Sequence, residues 1–144
     1  MSIRRFIWCL IVLSPFSTPP TSAAGAGLEA RVNGVRNTKG QVGCLLFTSA
    51  DGFPSDMKKA RQAVLSPIVD GRGVCQFDAP AGSYAIVAIH DENANGKLDK
   101  NVLGVPKEGY GASKDARGAF GPKYDDARFD YRGGGLTMPI TLRY

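Results

Sequence analysis

Apolar and polar residues alternate with a period of two in two well-separated parts of this chain. Leu28, Ala30 and Val32 are separated by polar residues, and residues 136–142 repeat the pattern. A period of two puts successive side chains on opposite faces of an extended segment, which is typical of a β-strand with one buried face. Both segments are therefore predicted to be half-buried strands.

Short strands are also predicted between these two, at a spacing of roughly ten residues and separated by turns rich in Gly, Pro, Asn and Asp. These strands cover 42–48, 64–69, 74–77, 83–90 and 129–131, with one short helix over 56–60. Both alternating sets of residues are apolar in 42–48, which indicates a strand buried on both faces. The pattern predicts an all-β fold, an antiparallel β-sandwich of about seven strands with Greek-key connections.

Segment 91–135 interrupts this rhythm. Loops longer than about 15 residues in compact domains are usually functional or disordered. Aromatic residues favour order here, because their rings can pack on the sandwich; they are Phe120, Tyr124, Phe129 and Tyr131. One long structured loop is therefore predicted.

Residues 1–24 are typical of a signal peptide. Arg4 and Arg5 precede an apolar run at 6–13, and small residues at 22–24 form a cleavage site. The run is far shorter than the roughly 20 residues that span a bilayer. We expect ordinary secretion rather than a twin-arginine route, to the periplasm or the extracellular space. Residues 25–144 are expected to form a single domain without a transmembrane segment.

The charge distribution argues against nucleic-acid binding. Removal of Arg4 and Arg5 leaves 16 basic and 13 acidic residues, a net charge of +3. The basic residues are scattered singly and no nucleic-acid-binding motif is present. These charges are expected to form a solvated surface.

Cys44 and Cys75 are the two cysteines outside the signal peptide. An exported protein enters an oxidising compartment, where an even number of cysteines favours pairing. A disulfide between the two is expected, and two buried free thiols are the alternative.

Segment 91–99 carries oxygen-bearing residues at the spacing of a calcium-binding loop. Positions one, three, five and nine of an EF-hand loop are matched by Asp or Asn, and position six by Gly96. Calcium prefers six to eight oxygen ligands, which such alternating side chains can supply when the backbone curls around the ion. The predicted ligands are Asp91, Asn93, Asn95, Lys97 through its carbonyl group, and Asp99.

The closing ligand of an EF-hand loop is missing, because position twelve is Val102. Asn101, Glu108 or water completes the shell, or the ion binds weakly, at about 0.1–1 mM as in extracellular modules. The alternative is a turn rich in Asn and Asp hydrogen bonds that binds no metal.

Longer motifs around this loop resemble those of a bacterial family known as domain of unknown function 2141. The motifs are HDENANGKLD at 90–99, LGVPKEGYG at 103–111 and FGP at 120–122. The resemblance spans essentially the mature chain and implies an exported sandwich like that of transthyretin, without an established activity. The family loop often has a second glycine where this chain has Ala94, which favours ordinary backbone angles.

His90 is the single histidine and is predicted to lie at the rim of the core, beside the loop. A structural histidine is the expected interpretation. The alternative is a small hydrolase-like enzyme with its site around His90, Asp91 and Glu108. Ser113 is the nucleophile that the neighbouring motif offers, but no nucleophile elbow supports it.

The sequence thus predicts an exported binding or structural module rather than an enzyme. Calcium, as a structural cofactor, would order the Gly- and Tyr-rich segment after the loop and present it to a protein or polymer ligand at the cell envelope. The residues expected as further ligands or as parts of this surface are His90, Asn101, Lys107, Glu108, Tyr110 and Phe120.

Overall fold

A computed structural model describes residues 27–144. The predicted signal peptide lies outside these described residues. The strands are β1 (Leu28–Asn33), β2 (Gln41–Phe47), β3 (Gln62–Ser66), β4 (Gly73–Phe77), β5 (Gly82–Asp91), β6 (Gly109–Ala112), β7 (Phe129–Tyr131) and β8 (Leu136–Thr141). A 3-10 turn spans Ser113–Asp115, and a four-residue helix, α1, spans Tyr124–Ala127. Among the helices of residues 27–144, none has the length and apolar character needed to cross a membrane.

The strands form two sheets, which confirms the predicted all-β sandwich. One sheet has the order β4-β1-β8, and the other has the order β3-β2-β5-β6, with β7 paired to the first residues of β5. The prediction of purely antiparallel pairing is wrong for one pair, because β8 runs parallel to β1. A short hairpin connection makes the two strands that it joins antiparallel. Strand β8 follows a long connection after β5, and a long connection allows either direction.

The main core lies between the two sheets. Leu28, Val32, Leu46, Ile86 and Ile140 are among its fully buried or nearly fully buried side chains. A second, smaller cluster covers the outer face of the larger sheet, where Phe47 and Val87 pack with Ala127 of α1. The second cluster explains why residues 42–48 are apolar at both sets of alternating positions.

A disulfide joins Cys44 of β2 to Cys75 of β4 and so connects the two sheets, as predicted. Their Cα atoms are 6.4 Å apart, within the range of protein disulfides. Both residues are buried in the main core.

Two local predictions around β3 are wrong. Residues 56–60 form turns rather than a helix, because the Asp56 carboxylate accepts a hydrogen bond from the Lys58 N–H, which competes with helical pairing of the backbone. Strand β3 ends at Ser66 rather than at Val69, because Pro67 has no N–H for the ladder.

The predicted long loop at 91–135 is ordered, and it contains more regular structure than expected. The strand predicted at 129–131 is present as β7, but β6 was not predicted. Its two glycines weaken the strand pattern, yet both are needed for close packing. A Cβ atom at Gly109 would lie 2.5 Å from the Tyr144 ring, and one at Gly111 would lie 2.6 Å from the Thr141 carbonyl oxygen.

We expect removal of the disulfide to lower the free energy of unfolding by about 3.7 kcal/mol, because the bond closes a long loop in the unfolded chain. The double variant Cys44→Ala, Cys75→Ala and the oxidised wild type should be compared by urea unfolding. Reductant should destabilise the wild type and leave the double variant unchanged. A wild type equally stable with and without reductant would contradict this prediction.

Candidate metal-binding loop

Asp91, the last residue of β5, is fully buried and directs the loop that follows. Its Oδ1 accepts a hydrogen bond from the Asn95 N–H at 2.9 Å, and its Oδ2 accepts one from the Gly96 N–H at 2.8 Å. Gln41 Nε2 donates a further hydrogen bond to Oδ2 at 3.3 Å. A buried carboxylate is costly without such donors, so Asp91 holds residues 91–96 in a closed turn.

The other predicted side-chain ligands contact one another. The Asp99 carboxylate accepts hydrogen bonds from Nδ2 of Asn93 at 2.7 Å and from Nδ2 of Asn95 at 3.0 Å. The Oδ1 of Asn95 accepts a hydrogen bond from the Lys97 N–H at 2.8 Å. The structure therefore brings Asp91, Asn93, Asn95 and Asp99 into one hydrogen-bonded network.

Two residues of the loop have left-handed backbone angles. Gly96 has a φ of +75°, as a tight curl requires, and Ala94 has a φ of +56°. The expectation of ordinary angles at Ala94 is therefore wrong. A left-handed alanine costs about 1–2 kcal/mol. The hydrogen bonds from the N–H groups of Asn95 and Gly96 to the Asp91 carboxylate keep the turn closed and so stabilise this conformation of Ala94.

Glu108 joins the two ends of the loop. Its Oε1 accepts a hydrogen bond from the Glu92 N–H, and its Oε2 accepts one from the Asp99 N–H, both at 2.9 Å. The side chain is buried, with 5% of the residue exposed. Glu108 was predicted to be a further ligand or part of the exposed surface. The structure places it beneath the loop, as a bridge between main-chain N–H groups.

The chain between Asp99 and Glu108 folds back on itself, and we call residues 99–107 the tip hairpin. The Lys107 N–H donates to the Asp99 carbonyl at 2.8 Å, and the Asn101 N–H donates to the Val105 carbonyl at 2.9 Å. The Asn101 side-chain oxygen, another predicted ligand, accepts hydrogen bonds from N–H groups within this hairpin. Asn101 thus shapes the tip hairpin.

His90 is fully buried, deeper than the predicted rim position. Its Nε2 lies 2.8 Å from the Lys39 carbonyl oxygen, and its Nδ1 lies 2.7 Å from the Tyr144 hydroxyl. A carbonyl oxygen only accepts, so Nε2 carries a proton, and in the neutral imidazole the tyrosine hydroxyl donates to Nδ1. Both ring nitrogens of His90 are therefore engaged.

Tyr144 and Arg36, which sequence reasoning missed, connect this histidine to the loop. The Tyr144 hydroxyl accepts a hydrogen bond from the Arg36 N–H at 3.0 Å, and the guanidinium lies 4.3 Å from the ring centroid. The same guanidinium pairs with the Glu92 carboxylate at 2.5 Å. Burial raises the pKa of Tyr144, whereas the Asn37 amide and the Arg36 guanidinium lower the pKa of Glu92. No motif marks these residues; their proximity arises from the fold.

The side chains of the alternative enzyme site all form hydrogen bonds within the fold. His90 and Asp91 are fully buried and Glu108 nearly so. Ser113 is also buried, and its Oγ donates to the Ala127 carbonyl and accepts from the Ile86 N–H. Ile86 precedes His90 by four residues on β5, which corresponds to about 13 Å. Ser113 and His90 are therefore too far apart to form a catalytic pair.

The loop offers a metal two carboxylates and two carboxamides. Within residues 27–144, no three or more His, Cys, Asp or Glu side chains are grouped as a metal site would need. A metal at this loop would therefore need the carboxamide oxygens of Asn93 and Asn95, main-chain carbonyl groups and water as further ligands. Hard oxygen ligands of this kind suit calcium and not the softer transition metals.

The chain matches a known protein family. A model of the family described as "Uncharacterized protein conserved in bacteria (DUF2141)" matches residues 30–138, which include the loop, the tip hairpin and β6. Neither a curated protein nor a solved structure matches the chain. The resemblance inferred from the motifs is confirmed, and the likeness to transthyretin stays a prediction.

We expect Tyr144→Phe to lower the free energy of unfolding by about 1–3 kcal/mol, because it leaves the buried Nδ1 of His90 without a donor. The measurement is urea unfolding at neutral pH. The control is Tyr124→Phe, which removes a hydroxyl on the other face of the sheet, where the ring packs on Phe53. Equal effects of the two variants would contradict the structural role of the hydroxyl.

We also expect Glu108→Gln to destabilise the fold by about 1–3 kcal/mol, because an amide group would face a main-chain N–H donor. Hydrogen exchange should quicken at the amides of Glu92 and Asp99. Glu29→Gln is the control, since Glu29 takes part in an ion pair with the more exposed Arg31 and such pairs contribute about 0–1 kcal/mol. Unchanged exchange at both amides would contradict the bridging role of Glu108.

Proposed function

The chain belongs to the bacterial family DUF2141, and we propose that it is an exported binding module whose loop at 91–99 takes up calcium and thereby fixes the surface beside it. The signal-peptide pattern of residues 1–24 supports export. The disulfide between the two sheets is consistent with an oxidising compartment.

The observation that carries the proposal is the meeting of Asn93, Asn95 and Asp99. Both carboxamides lie within 3.0 Å of the Asp99 carboxylate, so the three side chains are already close together without a bound ion. Rotation of each carboxamide by half a turn would present its oxygen in place of its nitrogen. A cation between these groups would then replace the two hydrogen bonds to Asp99 with ionic contacts. The rotation would also break the hydrogen bonds that the two Oδ1 atoms accept from the N–H groups of Asn95 and Lys97.

The composition of the loop supports calcium over other metals. Calcium accepts six to eight oxygens at flexible angles and tolerates several waters, whereas magnesium demands a tighter octahedral arrangement. Two carboxylates, Asp91 and Asp99, supply little negative charge. We therefore propose a dissociation constant of about 0.1–1 mM, which suits an extracellular module.

The proposed role of the ion is structural, through Asp99. The main-chain N–H of this residue is held by Glu108, and its carbonyl accepts from Lys107 at the end of the tip hairpin. An ion bound to its carboxylate would fix the start of the hairpin at a third point. Calcium would thus set the orientation of the tip hairpin relative to the sandwich.

The surface proposed for binding a partner at the cell envelope lies on and after this hairpin. Lys107 is exposed, Tyr110 is partly exposed, and Phe120 is fully exposed at 106%. The predicted contribution of Glu108 to this surface is wrong, because its carboxylate is buried beneath the loop. The engaged state of His90 and Asp91 supports a binding module rather than an enzyme.

Calcium at ten times its dissociation constant should stabilise the fold by about 1.4 kcal/mol, or about 4–8 °C in melting temperature for a domain of this size. The measurement is thermal unfolding of the oxidised chain from Gly25 onward, in millimolar calcium and in chelator. Magnesium at the same concentration should give a smaller shift.

The informative variant is Asp99→Asn, because it removes one charge while keeping an oxygen for the neighbouring carboxamides. It should abolish the calcium-dependent shift and also lower the melting temperature in chelator, because Oδ1 and Oδ2 of Asp99 each accept one carboxamide and Asn has a single oxygen. Asp78→Asn, at an exposed position after β4, is the matched control and should keep the full shift. A wild type that melts at the same temperature in calcium and in chelator would refute the metal site.

A further inference from the structure

The end of the tip hairpin exposes apolar side chains to an unusual degree. Val102 is 102% exposed, Leu103 is 83% exposed, and Val105 is 53% exposed. These residues lie next to one another at the turn of the tip hairpin, and we call them its apolar end. Burial of a Val or Leu side chain is worth about 1.5–3 kcal/mol, so this exposure is a cost that a partner can recover.

Main-chain N–H groups at this apolar end are satisfied within the hairpin. The Oδ1 of Asn101 accepts hydrogen bonds from the N–H groups of Leu103 at 2.9 Å and Val105 at 3.0 Å. The Gly104 N–H donates to the Asn101 carbonyl at 2.9 Å. A segment that enters an apolar medium must carry its N–H groups already paired, because an unpaired group there costs several kcal/mol. The hairpin meets this requirement at these three positions.

Three lysines surround the base of the hairpin. Lys97, Lys100 and Lys107 are all exposed. Asp99 lies among them and accepts hydrogen bonds from two carboxamides, so three positive charges stand beside one negative charge. The base of the hairpin therefore carries a cationic collar.

The order of the lysines and the apolar end along the hairpin fits a lipid surface. Val102 and Leu103 lie in the turn that closes the hairpin, and Lys100 and Lys107 lie on its two arms, before and after that turn. Amphipathic segments that bind membranes bury their apolar side about 5–10 Å into the boundary between headgroups and acyl chains. With the turn at this depth, Lys100 and Lys107 on the arms of the hairpin would face the lipid phosphates.

We propose that the tip hairpin inserts Val102 and Leu103 into the surface of an anionic phospholipid bilayer, with Lys97, Lys100 and Lys107 paired to lipid phosphates. This inference rests on the proposed function, since export gives the hairpin access to a membrane and the calcium loop orients it. Charge complementarity selects the lipid surface as the partner. A neutral apolar pocket on another protein would leave the three lysines without a role.

The primary test uses a single reporter. The chain has one tryptophan, Trp8, which is absent from the chain that starts at Gly25. Leu103→Trp in that chain therefore gives one emitting side chain at the apolar end. Vesicles of phosphatidylcholine and phosphatidylglycerol should shift its emission to the blue, and lipids brominated near the headgroup should quench it. Leu65→Trp, at an exposed position on β3, should show neither effect.

Vesicle sedimentation separates the two components of the interaction. Val102→Asn with Leu103→Asn should weaken binding by at least about 10-fold, since two apolar side chains no longer enter the lipid. Replacement of the three lysines by Gln should weaken it by about 100-fold, at about 5-fold per lysine near an anionic surface. Lys58→Gln, at an exposed position elsewhere, should leave binding unchanged.

The outcomes distinguish this inference from the proposed function. Equal binding to anionic and to purely phosphatidylcholine vesicles, or no blue shift of the Leu103→Trp variant, would overturn the lipid inference even if calcium still raised the melting temperature. Insertion that is the same in calcium and in chelator, together with no calcium effect on melting, would support the lipid surface and refute the metal site.

Discussion

Two buried carboxylates determine the geometry around the loop. Asp91 and Glu108 are removed from water, so each must find hydrogen-bond donors nearby. Both find main-chain N–H groups of the same short segment: Asp91 holds Asn95 and Gly96, and Glu108 holds Glu92 and Asp99. The loop is therefore fixed by its backbone, and the side chains of Asn93 and Asn95 pair with the Asp99 carboxylate.

The same segment is also connected to residues far away in the sequence. Glu92 pairs through its carboxylate with Asn37 and Arg36, and Arg36 contacts the ring of Tyr144 and the Lys107 carbonyl. The tyrosine hydroxyl in turn fixes the tautomer of His90. These contacts engage both ring nitrogens of the histidine. Its lone pair is a part of the network that joins the end of β8 to the loop.

Sequence reasoning succeeded where a local pattern determines the structure. The alternation in β1 and β8, the double-sided burial of β2 and the pairing of Cys44 with Cys75 each follow from periodicity or from cysteine number. The grouping of Asn93, Asn95 and Asp99 follows from their spacing. These features depend on few residues that are close in the chain or, for the disulfide, on a strong covalent preference.

It failed where distant parts of the chain decide the structure. Strand β6 has a weak pattern because its glycines give room to Tyr144, which is 35 positions after Gly109 and is brought there by the pairing of β6 with the end of the chain. The parallel direction of β8 depends on how the preceding excursion returns. The role of Glu108 depends on the depth of its side chain, which spacing alone does not specify. Ala94 takes a left-handed conformation because the Asp91 carboxylate holds the residues after it.

The hydrogen bonds of the loop also set the affinity that a cation can reach. An ion must break the contacts of Asn93 and Asn95 with Asp99, and each such bond to a charged group is worth about 1.5–3 kcal/mol. The loss of these hydrogen bonds lowers the net free energy of cation binding. That free energy is already limited, because the loop has only two carboxylates. The calcium binding that we propose for this loop would therefore be weak and would need a high calcium concentration, a condition met outside the cell and not within it. The loop would keep its fold without the ion, and the ion would add stiffness where the tip hairpin begins.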